Sequence, residues 1–420
     1  AEDDVVPWLQ KLLGDAGAAK VVGRFCRVAV AEIVKGRLST LLGDEQATAY
    51  VRRLRTRVDL AWLRPVLREV LDLKTSIADT RTVGRLLGAA SDLMPGEARE
   101  RLLAELRPDV VEVRLAEPYL RELTLGPRAE LANRFGRLRN ELFEELGVPY
   151  PPLRLVVDER LREQSFAVTI NHVTLLPWIG LQADECLVDR GPAEVETAGL
   201  EVLGQAMHPG TGQQHARIHL EQQPAAGREG WITWTPLGFL SLALAADLRS
   251  NGPCLIDHAA VSTQFSHLAL RFPTLVQRVL ERFPKWELTG VLRALVGEGI
   301  GVRGAWLLFE RLVDADDGST TGDDQLAAWG RSVLAPATVD RRSGSTGTVE
   351  VYEVAADVEL MLRQSGRTLD ERDQDRILDA VRDALHSRPQ GPAPLLTGGD
   401  VRARLQQAVA EELPRLAAFS

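Results

Sequence analysis

The chain has 420 residues, 45% of them hydrophobic, and a formal charge of -9 at pH 7. Its length exceeds what one hydrophobic core usually serves, so roughly two to four compact units are expected. The acidic balance argues against a general binder of nucleic acid or anionic membrane, because attraction to phosphate would need a local basic patch working against the global field. Cys26, Cys186 and Cys254 lie far apart, in neither metal-ligand nor paired spacing. That usage favours a reducing compartment, the cytoplasm.

No signal-peptide pattern opens the chain, which starts at Ala1 as a trimmed or processed start would. Residues 1–95 read as almost wholly helical. Val22, Cys26, Ala29 and Ile33 fall on one face, and Leu54, Val58, Leu63, Val66, Leu67, Val70 and Leu71 continue the apolar pattern. The arginines of "YVRRLRTRVDLAWLR" read as a solvated helix face rather than a phosphate-binding surface.

From 108 to 182 the pattern mixes. "VVEVRL" is a first strand and residues 128–146 a helix, after which Gly147, Pro149, Pro151 and Pro152 interrupt. Leu153, Leu155 and Val157 then alternate with Arg154, Val156 and Asp158, so the period changes from 3.6 to 2. Gly147 can take the left-handed conformation that ends a helix, and the prolines cannot continue one. Phe166, Val168 and Ile170 repeat the alternation, a second strand of the same small sheet.

Residues 183–228 carry weaker periodicity and read as an insertion, with "ARIHLEQQ" as a strand. After Trp231 and Trp234 comes the longest apolar run, residues 237–248. It is much shorter than the ~20 residues of a membrane span and reads as a buried helix. A turn at "SNGPC", a buried strand "CLID" and helices to about 313 follow. "DADDGSTTGDD" and "DRRSGSTGT" read as loops flanking a weak helix at 326–334. The last region has a strand in "TVEVYEV", helices at 357–363 and 371–386, a turn at "RPQGPAP", a strand "LLT" and a closing helix from Asp400.

Sites of chemistry are poorly supported. Gly299, Gly301 and Gly304 have dinucleotide-fingerprint spacing, but a helix rather than a strand precedes them, so a helix-to-helix turn is expected. His215 and His219 are four apart on a strand-like stretch and read as an exposed pair rather than zinc ligands. Asp257, His258, Ser262 and His267 supply the residue types of a hydrolytic triad without a GxSxG elbow, which leaves a hydrolase using Ser262 with His258 or His267 as the disfavoured alternative. "DADDG" resembles the start of a calcium loop but places its glycine one position early, and a solvated acidic turn is the better account. Trp231 and Trp234 are expected on the same face of a strand, either packed in a core or presented to a partner. No catalytic residue, cofactor or metal is expected.

"RFGRLRNELFEELGVPYPPLRLVVD" resembles the cytoplasmic region of the FHIPEP family, the export-gate proteins of flagella and type III secretion, with Gly147, Pro149, Pro152, Arg154 and Asp158 in the places of its helix-to-sheet pattern. "CLIDHAAVSTQFSHL", "FPTLVQRVLERFPKWELTGVLRALVGEGIGVRGAWLLFERL" and "APLLTGGDVRARLQQAVAEELPRLAAFS" are similar to later family stretches, in the right order over 110–420. The fold class implied is an α+β multidomain chain, with a helical N-terminal domain (1–107) ahead of a four-subdomain export-gate-like region. Its subdomains would be a first at 108–182 plus 229–250, an inserted second at 183–228, a helical third at 251–330 and an α+β fourth at 331–420.

The resemblance implies a non-enzymatic, cytoplasmic protein-binding role. Its partners would be export substrates and chaperones, or adaptor partners if the chain serves a system other than secretion, and a homo-oligomeric ring is the family's assembly. The family's "P.FG..A.WI" stretch, near which chaperone-loaded substrates dock, is blurred here into "TWTPLGFLSL". Trp231, Trp234 and Phe239 are the candidate protein-binding residues of that neighbourhood. Between His267 and Phe272 the chain lacks a helix that the family has, whereas residues 37–54 resemble it, so the N-terminal region reads as a degenerate copy of the third subdomain. Family members carry a membrane region before this part, and the reading here is a soluble relative in which the helical leader replaces it.

Overall fold

The computed structural model describes residues 42–54, 59–89, 93–108, 110, 111–123, 128–210, 212–314, 323–343, 347–349, 351–364, 371–386, 395–399, 401–410 and 418–419. The chain divides into two compact units, Ala1–Arg99 and Glu100–Ser420. The expected face of Val22, Cys26, Ala29 and Ile33 lies outside the described residues, as does Val58.

In the first unit, helices α1 (Asp44–Leu54), α2 (Leu60–Asp72) and α3 (Thr80–Gly88) pack together, and α4 (Pro95–Leu106) carries the chain into the second unit. Leu63, Val66, Leu67 and Val70 form a buried stripe at helical spacing on α2. Aspartates begin α2 and α3: Asp59 accepts from Ala61 N at 3.1 Å, and Asp79 accepts from Thr82 N at 3.1 Å and Thr82 Oγ1 at 2.7 Å. Each satisfies donors that a helix start leaves free. These bonds hold the Asp79 carboxyl below the usual carboxylate range. A Cβ on Gly84 would stand 2.8 Å from Leu54 O, so this glycine permits α1 and α3 to approach.

The second unit opens with a five-stranded sheet. Strand β1 (Val111–Leu115) leads to α5 (Glu117–Leu123), α6 (Arg128–Leu146), β2 (Leu153–Val157), β3 (Ser165–Ile170), β4 (Val173–Thr174) and β5 (Trp178–Ile179). The order is β2-β1-β3-β4, with β5 also on β3. The two expected strands do share a sheet, but β1 lies between them, parallel to β2 and antiparallel to β3. Gly147 ends α6 at φ 72°, and its N–H donates to Phe143 O at 2.8 Å, the left-handed helix end expected from the sequence.

The stretch read from the sequence as an insertion holds β6 (Glu185–Val188), α7 (Pro192–Thr197), β7 (Val202–Met207), β8 (Gln214–His219), a 3-10 turn at Leu220–Gln222 and α8 (Gln223–Arg228). Its sheet runs β7-β8-β6-β9, taking β9 (Thr233–Trp234) from just beyond residue 228. Helix α9 (Pro236–Ser250) is the apolar run expected to be buried, and its Phe239, Leu240, Ala243, Leu244 and Leu248 are in the core.

The expected strand "CLID" is instead a 3-10 turn at Gly252–Leu255. Pro253 has no N–H for a ladder, and the segment bonds locally, Cys254 N to Asn251 O at 3.0 Å and Ile256 N to Pro253 O at 3.3 Å. Helices α10 (His258–Ala269), α11 (Pro273–Arg282), α12 (Lys285–Gly297), α13 (Ala305–Asp314) and α14 (Asp323–Ser343) follow. The last extends well past the expected 326–334, through residues read as loop. Leu334 is buried, and a turn further on buried Thr338 accepts from Gly301 N at 3.4 Å, so packing carries the helix where composition did not.

The C-terminal part has β10 (Tyr352–Glu353), α15 (Ala356–Gln364), α16 (Glu371–His386), β11 (Leu395–Leu396), α17 (Arg402–Ala410) and β12 (Ala418–Phe419), with three short parallel strands in the order β10-β11-β12. It has its own core around Leu362, Ile377, Val401, Leu405 and Val409. Among the described residues, the main core of the second unit runs from the first sheet through α6 and α9 into α10–α14, and the inserted sheet's outer face has its own.

Candidate functional site

The inserted sheet meets the main core along β6. Leu187 belongs to the main core, whereas Cys186 and Val188, on the opposite face, belong to the inserted unit's own core. All four β6 residues are buried, so the strand shows no polar alternation. Burial pushes the Cys186 thiol up to about 11, with the Glu185 carboxylate adding to the shift. Glu185 in turn accepts from Arg217 of β8 at 3.0 Å.

Trp234 packs against the main core and Trp231 against the inserted one. This corrects the expectation that they share a face. Side chains alternate with a period of 2, so residues three apart on a strand point opposite ways, and β9 in any case includes only Trp234. Phe239 is 1% exposed and sits edge-on to Phe166 with ring centroids 6.4 Å apart, so it offers no surface to a partner. Between the two tryptophans stands Ile232, 58% exposed. Its backbone is held rigidly: Ile232 N donates to Asp189 Oδ1 at 3.0 Å, and Ile232 O accepts from Asp189 N at 2.9 Å.

Behind this seam the His208 ring lies 4.8 Å from the Trp234 ring and 4.9 Å from that of His215. His215 is buried, not exposed as expected, with Nδ1 3.0 Å from Val188 O. Burial holds its imidazole below the ordinary histidine range. His219 lies on the same strand, not on a helix, and among the described residues no cluster of three or more His, Cys, Asp or Glu could hold a metal. Thr235 fixes the start of α9, its Oγ1 accepting from Gly238 N at 3.2 Å.

The triad residue types of 257–267 do not assemble into a triad. Asp257 caps α10, accepting from Ala260 N, and pairs with Arg107 at 2.8 Å. Ser262 Oγ faces Lys285 Nζ at 3.4 Å, and among the described residues no hydrogen bond joins it to His258 or His267. Gly299, at φ 73°, turns the chain between α12 and α13, the helix-to-helix role expected of "GEGIGVRG". The segment "DADDG" lies outside the described residues beyond Asp314. Sequence reasoning missed Ile232, because a lone exposed isoleucine has no signature; only its position between two tryptophans marks it.

Comparison with known proteins places this geometry. The FHIPEP family matches residues 85–420, beginning ahead of the 110 expected and including α4. The probable translocation protein y4yR of Sinorhizobium fredii (strain NBRC 101917 / NGR234) is 23% identical over 331 residues, which cover 74% of this chain and 45% of that relative. The chain therefore spans less than half of that relative's length. In fold, it is similar to a chain of the Chlamydia pneumoniae CdsV and CdsO protein complex, with a TM-score of 0.63 at 19% identity, covering 74% of this chain and 93% of the other. The cryo-EM structure of nonameric EPEC SctV-C gives a TM-score of 0.56 at 15% identity, covering 74% and 92%. Among the described residues no helix is long and apolar enough to cross a membrane. With its first sheet, inserted sheet, helical segment and C-terminal strands all inside the matched region, the chain belongs to the FHIPEP family of export-gate proteins.

Proposed function

We propose that this chain is a non-enzymatic docking region of a type III export gate, facing the cytoplasm, which receives export substrates and their chaperones. Family membership and the export-gate-like fold support the reading, and one observation carries it. Ile232 presents an exposed apolar side chain where the inserted sheet meets the main core, its backbone bonded to Asp189, in a stretch whose half-buried Trp231 and Trp234 enter different cores. An exposed apolar side chain on a backbone already hydrogen-bonded in place loses little freedom on binding and can serve as an anchor that carries a large share of a binding energy.

The four-subdomain division supplies the clefts in this reading, with a helical N-terminal domain that is a degenerate copy of the third subdomain. The CdsV and CdsO complex and the SctV-C nonamer are the reasons to include both a protein partner and self-association in the proposal. Titration of the purified chain with a chaperone–substrate complex from the same cell tests it. Saturable binding should weaken about tenfold or more in Ile232→Asp, a loss of about 1.4 kcal/mol. Equal affinity of the variant and the native chain would remove the seam from the account.

A further inference from the structure

Strand β2 ends the first sheet: β1 pairs one side, and among the described residues no strand pairs the other. At such an edge, alternate residues turn their N–H and C=O groups toward solvent. The registers set Val168, Val113 and Leu155 side by side, and likewise Phe166, Leu115 and Val157. Two apolar rows therefore cross the core face. The first two residues of each row are 0% exposed, but Leu155 and Val157 are 43% and 45% exposed. The apolar face runs one strand beyond its cover.

Edges are ordinarily blunted by lysine, proline, a bulge or an inward charge. The five residues of β2, "LRLVV", contain neither lysine nor proline, and their pairing with β1 is regular. The one charge is Arg154, exposed, on the opposite face from Leu155. Its neighbour across the ladder, Glu112, is engaged by Arg114 at 2.7 Å, and Arg154 has no ion-pair partner among the described residues.

We propose that β2 is a strand-addition site for an extended peptide of another protein, separate from the seam at Ile232. The unpaired backbone edge selects an extended chain over a helix, whose own N–H and C=O groups are already used. Exposed Leu155 and Val157 select apolar side chains at alternate positions of that peptide. Arg154 selects an acidic residue on its other face.

A capped peptide of about eight residues, alternating valine and glutamate, long enough to span the five-residue strand, serves as the probe on the full chain. The expected results are saturable binding by fluorescence anisotropy and slowed amide exchange confined to 153–157. Leu155→Lys combined with Val157→Lys should weaken binding at least tenfold without changing the circular dichroism or thermal midpoint. Arg154→Glu, on the exposed face, should weaken the valine–glutamate peptide and favour a valine–lysine one. No binding, protection elsewhere in the chain, or unchanged affinity in the variants would overturn the proposal. So would protection of 153–157 that rises with protein concentration in the absence of peptide, because a second copy would then be the occupant.

Discussion

Gly147 shows how much a single residue decides. At φ 72° its conformation is one that L side chains enter at a cost, and an added Cβ would stand 2.4 Å from Arg303 N and 2.8 Å from Arg303 Cα, backbone atoms that cannot swing aside. Gly147→Ala should therefore lose about 3 kcal/mol in urea unfolding, combining left-handed strain with overpacking. This joint was legible in the sequence because glycine and proline act locally. The tryptophans were not, since "WITW" gives the residues but not which core each one enters. His215 also depends on tertiary placement: a strand pattern cannot show that its imidazole stacks on His208 beneath Trp234. Its folded pKa is lowered by burial, so as pH falls through about 6.5 the unfolded chain takes up the proton first and folding stability declines. The thermal midpoint should be lower at pH 5 than at pH 7, and the drop should shrink in His215→Gln.

At the scale of elements, α4 is tied to the helical part of the second unit by arginines. Glu100 accepts from Arg293 Nη1 at 2.5 Å and Nη2 at 3.0 Å, with both side chains buried. Arg293 Nε also donates to Ile256 O at 2.9 Å, and Arg107 Nη1 donates to Cys254 O at 3.0 Å. Removing one partner of a buried pair strands the other charge, so Arg293→Met should cost about 3–5 kcal/mol, and adding Glu100→Leu should restore much of that in the same urea titration. The sequence gives no hint of this pairing, because the partners are 193 positions apart. Elements with clean periodicity, such as α6 and α9, were legible at nearly their final bounds. Strand β6 was not, because apolar cores on both faces erase its alternation, and α14 was misjudged because its second half is held by the burial of its own Leu334 and Thr338, the latter bonded by Gly301 N. The "CLID" segment misled in the opposite direction: its apolar run looks strand-like, while Pro253 enforces a turn.

For the whole molecule, the order of modest motifs carried more information than any one of them, and the family match over 85–420 agrees with that order. The proposed docking site was legible only as a neighbourhood around Trp231 and Trp234. Ile232, its exposed residue, emerges from the way Asp189 clamps the backbone. Within the second unit, Glu298 holds Arg331 at 2.9 Å and Arg402 at 3.1 Å, joining the helical segment to the start of α17 in the C-terminal part through charge. Such polar joints suit parts that shift against one another when a partner binds. The most direct test is secretion from cells whose own copy of this chain carries Ile232→Asp, with the level of the protein monitored alongside. The account predicts that export substrates in the medium fall severalfold while the protein remains at its normal level. Undiminished export from that strain would contradict it.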